Sequence, residues 1–212
     1  MVTTRIYTEP PICKKEILRY AGCKDTVEES LQFLLEECLQ EVLPKLSYKV
    51  CFEELVVDIK EDVCNFESLQ IVSKDLARNL RDCERTILFA ATIGTEIDRL
   101  IRRYGAISPA KAVMLQAIGA ERIESLCDMF CEELGANNPR FSPGYGDLPL
   151  ETQRLICARL DCSKHIGVGL NESLLMSPSK SVTAFAGIKS QTEGAQKHDC
   201  KACSKTDCMY RE

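Results

Sequence analysis

Between residues 26 and 45, Leu31, Leu34, Leu35, Cys38, Leu39 and Val42 recur three and four positions apart with acidic and amide side chains between them. This spacing lines one face of an α-helix, and Pro44 marks where it ends. The period then changes to that of extended chain. Tyr48 to Ile59 is rich in β-branched and aromatic residues, with Val50, Phe52, Val56 and Val57, and reads as a strand or strand pair. A short strand is expected at 68–71, followed by a helix containing 75–81. Thr86 to Thr92 is a compact apolar run of the kind found in a buried strand. Thr95 stands where an N-cap belongs for a helix over Glu96–Tyr104. Ser108-Pro109 opens a long helix reaching Leu134, with proline at its first position and Gly135 as its stop. Residues 150–160 read as a helix, and 167–170 and 181–188 as strands. Helices and strands mix without regular βαβ alternation, so the pattern predicts an α+β domain rather than a doubly wound parallel sheet. That domain spans 1–188. The polar run 189–199 then links it to a cysteine-rich tail that ends at residue 212.

The punctuation after the long helix is the first hint of chemistry. Residues 140–149 read Arg-Phe-Ser-Pro-Gly-Tyr-Gly-Asp-Leu-Pro. Pro143 presets its own φ and Gly144 can take the positive φ of a type II turn, so the two hold Arg140 and Tyr145 in a fixed relation. A guanidinium suited to a carboxylate beside a ring with a hydroxyl resembles a ligand clamp. On the preceding helix Glu124 and Asp128 fall one turn apart on one face, while Ile123, Leu126, Cys127 and Phe130 form the apolar stripe. Asp128 reads as a solvated helix charge. For Glu124 solvation and ligand contact both stand open.

Further motifs follow in order: Ile166-Gly167-Val168-Gly169-Leu170-Asn171-Glu172-Ser173, then Met176-Ser177-Pro178-Ser179-Lys180-Ser181-Val182. Together with the Arg-x-x-Pro-Gly-Tyr run, and with Ala90-Ala91-Thr92-Ile93-Gly94, Asp98 and the Glu124 helix upstream, this order resembles the activation domain of vitamin B12-dependent methionine synthase. The resemblance covers about residues 85–188. It departs at Asn171, where threonine is usual, and at Ala186, where the second of an aromatic pair would stand. It implies helices around a twisted, mainly antiparallel sheet in a free-standing activation module. That module would bind S-adenosylmethionine and reductively methylate the cobalamin of a separate methionine synthase or other corrinoid protein. A low-potential donor such as flavodoxin or ferredoxin would supply the electron. By the same resemblance Arg140 grips the ligand carboxylate, Glu124 is its acidic partner, and Pro143, Gly144, Tyr145, Glu172 and Ser173 complete the site. The alternatives are a corrinoid-protein chaperone or an S-adenosylmethionine sensor on the same fold, or a metal or redox protein centred on the C-terminal cysteines.

Composition narrows the rest. A net charge of −5 argues against nucleic acid or an anionic membrane as the main partner. No run is long and apolar enough to span a bilayer and the N-terminus lacks a signal-peptide core, so a cytoplasmic location is expected. With only His165 and His198 present, a histidine triad or multi-histidine metal site is nearly excluded. The thirteen cysteines are odd in number, and Cys38, Cys51, Cys127 and Cys131 sit at apolar positions, as small buried hydrophobes do in a reducing cell. Cys200, Cys203 and Cys208 differ in being closely spaced near the C-terminus. They suit an iron–sulfur cluster or zinc with His198 as a further ligand, thiol redox chemistry, or no ligand at all.

Overall fold

The computed structural model describes residues 1–23, 28–67 and 69–189. Strand β1 (Thr3–Tyr7) and helix α1 (Lys14–Tyr20) precede every element that periodicity marked. Helix α2 (Glu29–Val42) ends in a single 3-10 turn, Leu43–Lys45, with Pro44 inside it. The extended run after it is a pair, β2 (Tyr48–Val56) and β3 (Asp58–Lys60), but the two enter different sheets. Strands β4 (Val63–Phe66) and β5 (Leu69–Val72) lead to helix α3 (Lys74–Leu80) and strand β6 (Cys83–Thr92). Helix α4 (Glu96–Ile107) follows. Thr95 occupies its N-cap position with helical φ and ψ, and its hydroxyl makes no cap hydrogen bond, contrary to the expected capping role.

Helix α5 (Pro109–Glu133) starts on its proline as the sequence predicts. Gly135, at φ 68°, ends it. The Gly135 amide bonds Glu132 O at 3.1 Å and the Ala136 amide bonds Cys131 O at 2.9 Å, the two reversed bonds of a Schellman stop. Helices α6 (Thr152–Arg159) and α7 (Cys162–Ile166), strands β7 (Gly169–Leu170) and β8 (Met176–Ser177), and strand β9 (Ser181–Lys189) complete the order. The expected strand at 167–170 is therefore only β7, because Gly167 serves as the left-handed stop of α7.

The principal sheet runs β1-β2-β6-β9 and is antiparallel throughout, so the α+β expectation holds. Alternation assigns its two faces to two cores. Val50, Phe52, Ile87, Phe89, Ala184 and Ala186 face α5 and its flanking helices. Phe130 of α5 meets Phe52 edge-on at 5.1 Å and Phe89 at 5.0 Å. Cys51, Leu55, Leu88 and Phe185 face the other way, toward α3, α6, α7 and the small sheet β3-β4-β5. There Phe66 stacks on Phe185 at 5.3 Å. The cysteines expected to be buried, Cys38, Cys51, Cys127 and Cys131, are buried. Among the described residues no helix is long and apolar enough to cross a membrane.

Arg122 of α5 is fully buried, which is unusual for an arginine. The segment between β1 and α1 crosses α5 and supplies the reason. Arg122 donates to Pro10 O at 2.7 Å and Pro11 O at 2.5 Å, and to both Glu121 oxygens at 2.6 and 2.7 Å. Glu121 also accepts the Cys13 amide at 2.8 Å, and the Ser125 hydroxyl bonds Pro11 O at 2.6 Å. Burial alone would lower the Arg122 pKa, but the Glu121 hydrogen bonds and charge outweigh it and raise it. This network seats α1 beside the outer face of α5, where Glu124 and Asp128 lie.

Candidate functional site

The loop after α5 does not hang free. Residues 138–141 run antiparallel to the outer edge of β9. The Phe141 and Phe185 amides and carbonyls exchange two bonds of 2.9 Å, and the Asn138 amide reaches Gly187 O at 3.4 Å. Asn79 Nδ2 adds a bond of 3.2 Å to Pro139 O. Paired residues in a ladder share a face, so Phe141 joins Phe185 in the second core and Arg140 is turned to the α5 face. There its two terminal nitrogens meet two carboxylates, Nη1 donating to Asp128 and Nη2 to Glu124.

Arg140 and Glu124, both of which the resemblance assigns to the ligand, are brought together here. Asp128 is a correction: read from sequence as a solvated charge, it is the second partner of Arg140, because residues four apart on α5 both face the guanidinium. Arg140 is mostly buried, at 21 % side-chain exposure, whereas Glu124 and Asp128 are open at 44 % and 72 %. Burial pulls the Arg140 pKa down, but the Cys127 thiol and the two carboxylates more than reverse this, and it lies well above its ordinary value. The guanidinium is permanently charged and its orientation is fixed.

The turn has the expected form. Tyr145 N donates to Ser142 O at 3.0 Å across Pro143 and Gly144, and Gly144 sits at φ 89°, the geometry of a type II turn. Tyr145 is exposed and its ring meets Phe141 edge-on at 6.0 Å. Asp147, quoted within the motif but given no role by the sequence, anchors the loop from below. Its carboxylate accepts the Ser73 hydroxyl at 2.5 Å and the Lys74 and Asp75 amides at 2.8 and 3.2 Å, capping α3 from outside that helix. The Ser73 hydrogen bond, against some desolvation and with help from the two amides, holds its pKa below the usual carboxylate range.

Glu172 and Ser173 lie elsewhere, at the exposed tip of the β7–β8 hairpin. That tip is tied to α6 by Arg154 Nη2 to Glu172 O at 2.9 Å and by Gln153 Nε2 to Leu174 O at 2.8 Å. Its hydrogen bonds run to α6 and not to Arg140. Cys200, Cys203, Cys208 and His198 fall outside the described residues, and among those described no group of three His, Cys, Asp or Glu side chains could hold a metal ion.

A hollow of about 220 Å³ opens between α1 and α5 over Cys13, Glu16, Tyr20, Glu124 and Asp128. A larger one, about 560 Å³, lies along α2 at Leu31 and Phe33, and neither of the carboxylates that Arg140 holds lines it. The smaller hollow is the better candidate because convergent, fixed polar groups orient a ligand where volume alone does not. Sequence reading missed its α1 wall.

No protein-family model matches the chain, nor does any curated protein sequence. Among solved structures, the crystal structure of the MetH reactivation domain bound to AdoHcy is similar with a TM-score of 0.66, over 92 % of this chain and 80 % of that one, at 16 % identity. The chain has the MetH reactivation domain fold. The match takes in far more of the chain than residues 85–188, where the sequence motifs lay. In this reactivation-domain fold Arg140 is carried on the last rung of the sheet and its acidic partners on the longest helix.

Proposed function

We propose that the chain binds S-adenosylmethionine at Arg140 and presents its methyl group to the cobalamin of a separate methionine synthase or other corrinoid protein, for reductive reactivation. The observation that carries this reading is the fixed Arg140 guanidinium between Glu124 and Asp128. The amino-acid end of S-adenosylmethionine is a zwitterion, and its sulfur is cationic. A guanidinium has five N–H donors, so bonds to two carboxylates leave donors for the ligand carboxylate. Glu124 and Asp128, both open to solvent, keep lone pairs for the ligand ammonium and a negative field for the sulfonium. The exposed Tyr145 ring, beside the turn, offers an apolar face for the adenosyl group. The likeness to a reactivation domain bound to AdoHcy supports the same ligand class.

The residues do no proton transfer. They bind, orient and hold: the sheet-anchored loop sets the carboxylate contact, α5 sets the charge contacts, and together they fix where the methyl group points. The partner's corrinoid, reduced by an electron from a flavodoxin- or ferredoxin-type donor, would be the acceptor of the methyl group that Arg140, Glu124 and Asp128 hold in place through the rest of the ligand. The free ligand product would be S-adenosylhomocysteine.

Calorimetry of S-adenosylmethionine binding to the whole chain, Arg140→Ala and Arg140→Lys tests the reading. Loss of charge-assisted bonds worth about 1.5–3 kcal/mol weakens Arg140→Ala by roughly 10–150-fold. Arg140→Lys, a point charge without the planar fork, falls between. Absence of binding by the intact chain, with and without a corrinoid protein, or equal binding by Arg140→Ala, overturns it.

A further inference from the structure

The hollow between α1 and α5 has a wall to which no ligand group has yet been assigned. Glu121, Glu124, Ser125 and Asp128 line it from α5, and Cys13, Glu16 and Tyr20 line it from α1 and its N-cap. Four of these side chains are carboxylates. Three guanidiniums hold them, Arg19 on Glu16, Arg122 on Glu121 and Arg140 on both Glu124 and Asp128, so one negative charge is left over. None of the three guanidiniums is among the residues that line the hollow. Arg19 directs both of its bonds, of 2.9 and 2.6 Å, to one oxygen of Glu16. Its guanidinium carbon lies 4.6 Å from the centroid of the Tyr20 ring, so that ring already carries a cation. A cavity with an aromatic wall and an excess of carboxylate favours a compact organic cation over its neutral counterpart.

We propose that Tyr20 and Glu16 are the specificity-determining residues of the site: they face the cationic sulfur of S-adenosylmethionine and distinguish it from the neutral sulfur of S-adenosylhomocysteine. This rests on the reading of Arg140 given above. With the ligand carboxylate on Arg140 and the adenosyl group beside Tyr145, both ends are held by the loop after α5. The sulfur between them is then the part turned across α5 toward α1. The two ligands share the amino-acid zwitterion and the nucleoside, so contacts at Arg140 and Tyr145 hold both alike. They differ by one methyl group and one unit of positive charge, and only a wall that reads charge at sulfur separates them. The same wall eases product release. Once the methyl group has gone to the acceptor the sulfur is neutral, and its attraction to Tyr20 and to the surplus carboxylate charge ends.

The test is calorimetry on the full chain with three ligands: S-adenosylmethionine, S-adenosylhomocysteine, and an analogue with an amine-bearing carbon in place of the methylated sulfur. Wild type should bind both cationic ligands at least ~5-fold more tightly than the thioether, and the preference should shrink in roughly 0.5 M salt. Tyr20→Leu and Glu16→Gln should each narrow it by roughly 2–5-fold while leaving S-adenosylhomocysteine binding within about 2-fold of wild type. Cys13 reports position, because it is exposed, lines the hollow and falls alone on the tryptic peptide 6–14. Saturating S-adenosylmethionine should slow its alkylation by iodoacetamide several-fold and leave Cys157, which packs against the second core, at its free rate. Four results overturn the assignment and leave Arg140 as the clamp: equal affinity for cationic and neutral ligands, a preference that neither variant changes, an amine analogue that groups with the thioether, or bound S-adenosylmethionine that does not protect Cys13. Absence of binding by all three ligands is instead the failure of the Arg140 reading, and the assignment falls with it.

Discussion

Replacing Arg122 by methionine keeps the volume of the side-chain stem and removes the guanidinium. Four hydrogen bonds disappear: two to Glu121, one to Pro10 O and one to Pro11 O. Pro11 O keeps the Ser125 hydroxyl, and Glu121 keeps the Cys13 amide. The Glu121 carboxylate, 3 % exposed, loses its counter-charge, and Pro10 O loses its Arg122 donor. Breaking one side of a buried pair in this way costs about 3–5 kcal/mol, most of it the desolvated charge left behind. With a urea m-value of about 2–3 kcal/mol/M for a chain of this size, the unfolding midpoint should fall by roughly 1–2 M. Glu121→Gln with Arg122→Met removes both charges together and should recover at least ~1 kcal/mol relative to Arg122→Met alone. Equilibrium urea unfolding followed by circular dichroism reads both variants. A midpoint shift below about 0.3 M for Arg122→Met, at unchanged m, would refute the argument that this pair fastens the N-terminal segment to α5.

Three other outcomes are expected. A Cβ at Gly187 would fall inside van der Waals contact of Cys83 Sγ and at 3.0 Å from Leu80 Cδ2, so Gly187→Ala should lower stability by about 1–3 kcal/mol, and Cys83→Ala in the same chain should restore part of it. The Asp147 carboxyl has its folded pKa below its unfolded value, so its contribution is present above the unfolded pKa of about 3.9 and is lost as pH falls through the folded value. The stability gap between wild type and Asp147→Asn should therefore stay constant above about pH 5 and close in stronger acid; a gap independent of pH would remove the capping role. Lys180 lays its stem across Gly119, and burial, partly offset by Asp98, lowers its pKa, so its ammonium costs stability at neutral pH. Lys180→Met should melt at an equal or higher temperature at pH 7, with the difference shrinking as pH rises toward 10; a lower melting temperature at pH 7 counts against it.

What the sequence disclosed and what it hid divide along the range of the interaction. The turn at Pro143-Gly144 and the stop at Gly135 were legible because backbone chemistry within four residues decides them. Arg140 and Glu124 could be brought to one site only through the resemblance to a known family, since nothing local says that the fifteen intervening positions fold back. Asp147 gave no signal for its grip on α3, more than seventy positions earlier. The Glu121-Arg122 pair looks like ordinary helix surface, and only the crossing segment at Pro10 and Pro11 turns it into an interior. The same blindness explains why β1 and α1 went unassigned: α1 is only two turns long, and its buried Ile17 is specified by α5 rather than by its own period.

The seating of the Arg140 loop on the edge of β9 governs how fast its site can open. A clamp on a free loop opens by swinging, and its backbone amides trade protons with solvent at nearly the rate of unfolded chain. Here a swing would have to peel Phe141 from Phe185 and so unzip the margin of the sheet. The Phe141 and Phe185 amides should then be among the slowest to take up deuterium, in step with global unfolding rather than local fraying. Entry and exit of a ligand are left to rotamer hops of Glu124, Asp128 and Tyr145, which take pico- to nanoseconds on exposed side chains. On the proposed function, turnover on such a platform would be paced by the corrinoid protein that docks above it.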